Sequence, residues 1–151
     1  MILYRFLILC CFGLLLFNST IQAKEWQLSP EDDLQAQLEL ASNGDVIILS
    51  PGRYLGNFVI NKPLTLSGQA GAVIDAGGQG HALLLKNSNI SIKNLNIVNW
   101  GDDLTEENSA IYSVTQATNL TIENNVLEGD GFGIWLHKAT DVKGVGNKVR
   151  G

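Results

Sequence analysis

Four stretches of this chain, KPLTLSG (62–68), SNISIKN (88–94), TNLTIEN (118–124) and TDVKGVG (140–146), align with one another, and that repeat constrains the fold more than any other feature. One column holds Leu64, Ile90, Leu120 and Val142. Two places on stand Leu66, Ile92, Ile122 and Gly144, with Thr65, Ser91, Thr121 and Lys143 between them. Alternation of this kind is the period of a strand with one inward and one outward face. Four residues after the first column come Gly68, Asn94, Asn124 and Gly146. Glycine and asparagine take positive φ most readily, so they predict a left-handed bend at the same point of every unit. Six residues before the first column, Phe58, Leu84, Val114 and Leu136 read as a second apolar column.

Equivalent positions are 26, 30 and 22 residues apart. A unit of that size with two or three short strands buries nothing alone and gains a core only by stacking on its neighbours. The expected fold is therefore all-β: a right-handed parallel β-helix, each coil adding about 4.8 Å of height. A barrel or sandwich is the alternative, but hairpin dipeptides should then separate the strands, and only Asn43-Gly44 and Asp130-Gly131 qualify.

Ahead of the repeats, SPEDDLQAQLELASNGD predicts one short amphipathic helix. Ser29 is placed as N-cap, Pro30 as first helical residue, Leu34, Leu38 and Ala41 as the apolar face, and Asn43-Gly44 as the stop. This helix can cap the first coil, because an exposed stack of strands would otherwise pair with other chains. Nothing comparable follows Arg150-Gly151, so the expectation is an open C-terminal end belonging to a longer solenoid. A partner or a second copy over that end is the competing reading. The expected division is a signal peptide over 1–23, a capping helix within 24–44 and an incomplete β-helix over 45–151.

The signal peptide reading rests on one early cation, Arg5, and an apolar run from Phe6 to Phe17 that ends before Ala23. That run is shorter than the roughly 20 apolar residues of a spanning helix, although a retained anchor is the alternative; after cleavage no membrane span is expected. Cys10 and Cys11 leave with it, so the mature chain forms no disulfide. Loss of Arg5 moves the formal net charge from −5 to −6, with no basic block, which argues against nucleic acid as a partner.

Four carboxylates, Asp102, Asp103, Glu106 and Glu107, fall within six residues beside Trp100, in the unit with the longest spacing. Insertions in solenoids form loops on one face, so GDDLTEEN is read either as a partner or cation loop or as a solvated acidic turn. Asp75 in VIDAGG is expected in a turn, bonded to nearby amides. Trp135, between Ile134 and Leu136, is expected to face outward, either as a partner or sugar contact or packed on a neighbouring coil. The acceptor sequons at Asn89 and Asn119 read as turn residues flanking strands. No acid–base pair at a defined separation can be assigned, and no catalytic residue is expected.

The runs PGRYLGNFVINKPLTLSG, NISIKNLNIVNWGDDLTEENSAIY and NNVLEGDGFGIWLHKATDVKGVGNKV resemble the pectin-lyase-like β-helices grouped as carbohydrate-binding proteins and sugar hydrolases. Within that group they are most similar to the NosD family of periplasmic maturation proteins for nitrous oxide reductase, of which this length represents the first third or so. The resemblance implies a periplasmic, non-enzymatic accessory that works with an ABC transporter to assemble the copper centre of the reductase. The alternative is a polysaccharide-binding or polysaccharide-cleaving β-helix of the lyase or epimerase type. A copper role would call for histidine or methionine ligands, and past residue 23 the chain offers only His81 and His137 and no methionine. The two occupy different places in the repeat, so copper ligands are expected elsewhere or on a partner.

Overall fold

The computed structural model describes residues 22–114 and 116–151. The signal peptide assigned to 1–23 lies outside the described residues, except for residues 22 and 23. A lead-in strand, β1 (Glu25–Leu28), and one helix, α1 (Leu34–Leu40), precede the coils. The first coil is β2 (Val46–Leu49), β3 (Gly52–Leu55) and β4 (Phe58–Ile60), and the second is β5 (Thr65–Gly68), β6 (Ala72–Asp75) and β7 (Leu83–Leu85). The third is β8 (Ser91–Lys93), β9 (Asn96–Val98) and β10 (Ser109–Ser113). The fourth is β11 (Thr118–Glu123), β12 (Val126–Glu128) and β13 (Phe132–Leu136), and β14 (Thr140–Val145) and β15 (Lys148–Arg150) follow it.

Strands stack by coil into three sheets, all pairings parallel. Sheet A runs β1-β2-β5-β8-β11-β14, sheet B runs β3-β6-β9-β12-β15, and sheet C runs β4-β7-β10-β13. The protein is a parallel β-solenoid of about five turns, as the repeat predicts.

The inward residues form stacked rows. In sheet A, Ile47 pairs with Leu66, Leu66 with Ile92 and Ile92 with Ile122, and each is at most 1% exposed. In sheet B, Ile74, Ile97 and Leu127 do the same. Burying each such side chain contributes roughly 1.5–3 kcal/mol. The stacking of coils is therefore what stabilises the fold.

Corners follow the predicted bend at Asn94, Asn124 and Gly146, with φ of 55°, 57° and 68°. Gly68 differs. Its φ is not positive; the bend at that corner falls on Gly71 (φ 92°), and a Cβ at Gly68 would come within 2.7 Å of the Asn94 carbonyl. One residue further on, two asparagines, Asn125 buried and Asn147 half-buried, join three coils. Asn125 accepts from the Leu95 amide (3.0 Å) and donates to the Ile92 carbonyl (3.0 Å), while Asn147 accepts from the Asn125 amide (3.0 Å) and donates to the Ile122 carbonyl (2.7 Å).

Two sequence expectations are corrected. The helix begins at Leu34 rather than at Pro30 behind a Ser29 N-cap, and ends with Ala41 as C-cap rather than at Asn43-Gly44; Asp33 is the N-cap, its side chain accepting from the Ala36 amide at 3.0 Å. The Asp32 carboxylate turns back to accept from the Ser29 amide (2.7 Å) and hydroxyl (3.0 Å), holding Pro30–Asp32 as a turn. The second apolar column is also displaced. Phe58 pairs with Leu83, Leu83 with Ile111 and Ile111 with Ile134, so Leu84 faces outward and Val114 lies past the end of β10.

The expected apolar face of the helix, Leu34, Leu38 and Ala41, is at most 3% exposed. The side-chain amide of Gln35 pairs with both backbone groups of Val59, accepting from its N–H at 2.9 Å and donating to its carbonyl at 3.3 Å. It thus gives the outermost strand of sheet C the partner that a further strand would have supplied. Asp45 fastens β1 to the helix end by accepting from the Trp26 indole, the Lys24 amide and the Ser42 amide, each at 2.9 Å. These bonds, the indole's foremost, hold its carboxyl below the usual carboxylate range. Among the described residues no helix is long and apolar enough to cross a membrane.

Candidate functional site

Because all strands run the same way, every sheet C strand is entered from the sheet B corner and left at the sheet A corner. The acidic insertion lies at the entry corner, between β9 and β10. Asp103 shapes it: its carboxylate accepts from the Thr105 (2.8 Å) and Glu106 (3.2 Å) amides, and its carbonyl accepts from the Asn108 amide (3.0 Å). Glu107 has φ 54° and turns its carboxylate onto the sheet, where it accepts from the Tyr112 hydroxyl at 2.9 Å. Tyr112 stacks on His81, ring centroids 4.2 Å apart. Burial, reinforced by the Glu107 charge and hydrogen bond, raises the Tyr112 pKa; burial lowers that of His81 against the opposing pull of Glu107.

Asp102, Asp103 and Glu106 are exposed and Glu107 is half-buried. Trp100 turns inward, although it borders one polar cleft together with Asp102. It is 3% exposed and packs under the next coil, where a Cβ on Gly129 or Gly131 would come within 3.0 Å of its ring, so it belongs to the core. Near it, Asp75 accepts from the Gly77 amide (2.9 Å), from the Asn99 side chain (3.1 Å) and from Arg53. These partners, the Gly77 amide first, hold its carboxyl below the usual range. A polar cleft of about 510 Å³ lies here, lined by Asp75, Asn99, Asp102 and Asp130 among others.

The sequence columns miss the outer face of sheet C. Val59 pairs with Leu84, Leu84 with Tyr112 and Tyr112 with Trp135. All four are half-buried while the residues flanking them turn into the core. Trp135 carries a second ring, Phe132, at 4.7 Å. In β10 (SAIYS) Ser109, Ala110, Ile111 and Ser113 are all buried and Tyr112 alone is half-buried, so no alternation in the sequence marks Tyr112 as outward.

His137 sits at the exit corner after β13, its amide donating to the Ser113 carbonyl at 3.3 Å. His81 is on the entry side, so the two histidines occupy opposite margins of sheet C. Among the described residues no group of three or more histidine, cysteine, aspartate or glutamate side chains could hold a metal ion. Lying on opposite margins, His81 and His137 do not come together as ligands of one metal ion.

Fold and corners define the class: a pectin-lyase-like parallel β-solenoid whose inserted loop and aromatic row lie on one sheet. No family model matches the chain. It is 41% identical over 103 residues to the "Probable ABC transporter binding protein NosD" of Pseudomonas aeruginosa, covering 68% of this chain and 24% of that protein. The protein of the same description from Stutzerimonas stutzeri is 36% identical over 103 residues, again 24% of its length. A shorter Pseudomonas aeruginosa sequence of that description is 35% identical over 112 residues, 74% of this chain and 97% of that sequence. The chain belongs to the NosD family. It spans about a quarter of the length of the first two relatives.

Proposed function

We propose that this chain is part of a periplasmic, non-enzymatic accessory protein that works with an ABC transporter in assembling the copper centre of nitrous oxide reductase. Its chief support is the 35% identity to a NosD sequence that the chain covers over 97% of its length, a relative described as a probable ABC transporter binding protein. A solenoid suits that role, since stacked coils present long, rigid faces to large partners. Export through the N-terminal apolar segment is part of the same reading. The test is a strain lacking the gene: nitrous oxide reductase purified from it is expected to lack its copper centre and to regain it on complementation. Fully copper-loaded reductase from the deletion strain would contradict the role.

One observation favours a second reading, a polysaccharide-binding or polysaccharide-cleaving protein. Asp102 and Asp130, which take part in no ion pair among the described residues, share a polar cleft with Asp75. Saturable binding of a polyuronide, lost in Asp102→Asn/Asp130→Asn, would put that reading first.

A further inference from the structure

The outer faces of the three sheets differ. On sheet A one outward row runs Val46, Thr65, Ser91, Thr121 and Lys143, and the next runs Ile48, Ser67, Lys93, Glu123 and Val145, so each is broken by polar or charged side chains. On sheet B one row runs Arg53, Val73, Asn96, Val126 and Lys148, mixing charge with apolar groups. Sheet C alone carries an unbroken apolar row, Val59, Leu84, Tyr112 and Trp135.

Its margins are charged with opposite sign. The entry corners carry Asp102, Asp103, Glu106 and Glu107 in the third coil and Asp130 in the fourth; the exit corners carry Lys62, Lys86 and Lys138. Lys62 is occupied, donating to the Ala41 carbonyl at 2.8 Å, whereas Lys86 and Lys138 are exposed and in no ion pair among the described residues. At the helix end of the row a groove of about 550 Å³ opens, lined among others by Gln35, Leu38, Val59, Lys62 and Lys86, with the acidic Glu39 also on its wall. Aromatic rows with charged rims are the anatomy of a protein-binding surface: apolar anchors supply affinity, and the charges set orientation.

We propose that the outer face of sheet C docks a polypeptide segment of the ABC transporter. The segment presents apolar side chains to Leu84, Tyr112 and Trp135, basic residues to the 102–107 and Asp130 margin, and acidic residues to Lys86 and Lys138. This rests on the transporter reading above. Charge complementarity along both margins fixes one direction of the segment across the coils.

The test is binding of the full-length protein to its cognate ABC transporter in nanodiscs, with empty nanodiscs alongside. Trp135→Ser removes the anchor and is expected to weaken binding roughly tenfold or more. Lys86→Glu/Lys138→Glu, on exposed corners where folding is not at stake, is expected to weaken it by about threefold or more at low salt, with the difference shrinking as salt rises. Should Trp135→Ser lose its cooperative melt, the corner variant decides alone. If the wild type binds and both folded variants bind equally well, the face is wrong and the transporter reading stands. If the wild type does not bind at all, both fall. If empty nanodiscs bind as tightly as loaded ones, with the same sensitivity to the variants, the face takes lipid and the proposal is overturned.

Discussion

Sheets A and C share one kind of interior and have opposite exteriors. Inside, both stack aliphatic side chains coil upon coil, Ile47–Leu66–Ile92–Ile122 in one and Phe58–Leu83–Ile111–Ile134 in the other. Outside, sheet A ends in hydroxyls and a Lys93–Glu123–Lys143 ladder with spacings of 3.6 and 3.7 Å, whereas sheet C shows aromatic rings. A solenoid separates two tasks in this way: inward columns determine whether the coils stack, and outward columns are free to carry recognition. Stability variants should therefore segregate by side-chain direction, and binding variants by sheet.

The largest expected effect is on the shared interior. Ile92→Ala, at a fully buried position with coils on both sides, should lose about 3–4 kcal/mol in denaturant unfolding, since the cavity cannot close without shifting two neighbouring coils. Next is the asparagine ladder that borders sheet A. Asn125→Ala leaves the Leu95 amide and the Ile92 carbonyl without their side-chain partner and should cost roughly 2–3 kcal/mol by the same measurement.

The acid response should come from the buried carboxylates rather than from the outer ladder. Asp45 and Asp75 both titrate below their ordinary value of 3.8 in the folded protein. A depressed folded pKa contributes stability that is fully present above the unfolded value and is lost as pH falls through the folded one. Thermal midpoints should thus hold steady above pH 5 and fall below about pH 4, and Asp75→Asn should flatten part of that fall. If the slope is unchanged in Asp75→Asn, the Gly77, Asn99 and Arg53 contacts do not hold the carboxylate ionised.

The exteriors should matter least for folding. Leu84→Ala on sheet C should cost about 1 kcal/mol, well under Ile92→Ala, because its side chain is only half-buried. Lys93→Gln on sheet A should change stability by about 0.5 kcal/mol or less, as expected of a partly exposed ion pair. A Leu84→Ala loss equal to that of Ile92→Ala would break the division between inward and outward columns.

Sheet A was the most legible part of the sequence. Its apolar alternation and its Asn or Gly corners recur at fixed offsets, so the pairings Leu66–Ile92–Ile122–Gly144 follow from alignment. Sheet C was not, because its exit corners vary. From Ile60 to Leu64 is four residues, from Leu85 to Ile90 five, from Ser113 to Leu120 seven and from Leu136 to Val142 six. Counting back by six therefore put Leu84 in the core and hid the outward row that contains it. The helix start was misplaced for a local reason, as Asp32 bonds backward to Ser29 and leaves the N-cap to Asp33. Trp100 looked like part of the acidic loop by adjacency in sequence, but the glycines of the next coil, Gly129 and Gly131, make room for its ring inside. The corner after β6 matches the turn its sequence predicts, with Asp75 bonded to the nearby Gly77 amide, although Arg53 and Asn99 reach it from other coils.

The most direct test of the contrast between faces is hydroxyl-radical footprinting of the full-length protein with and without the reconstituted transporter, read by mass spectrometry at single side chains. Oxidation of Tyr112, Phe132 and Trp135 on sheet C is expected to fall severalfold on binding, while Trp26, on β1 of sheet A, keeps its rate. Saturated binding with Trp26 protected and the sheet C rings unchanged would contradict the account.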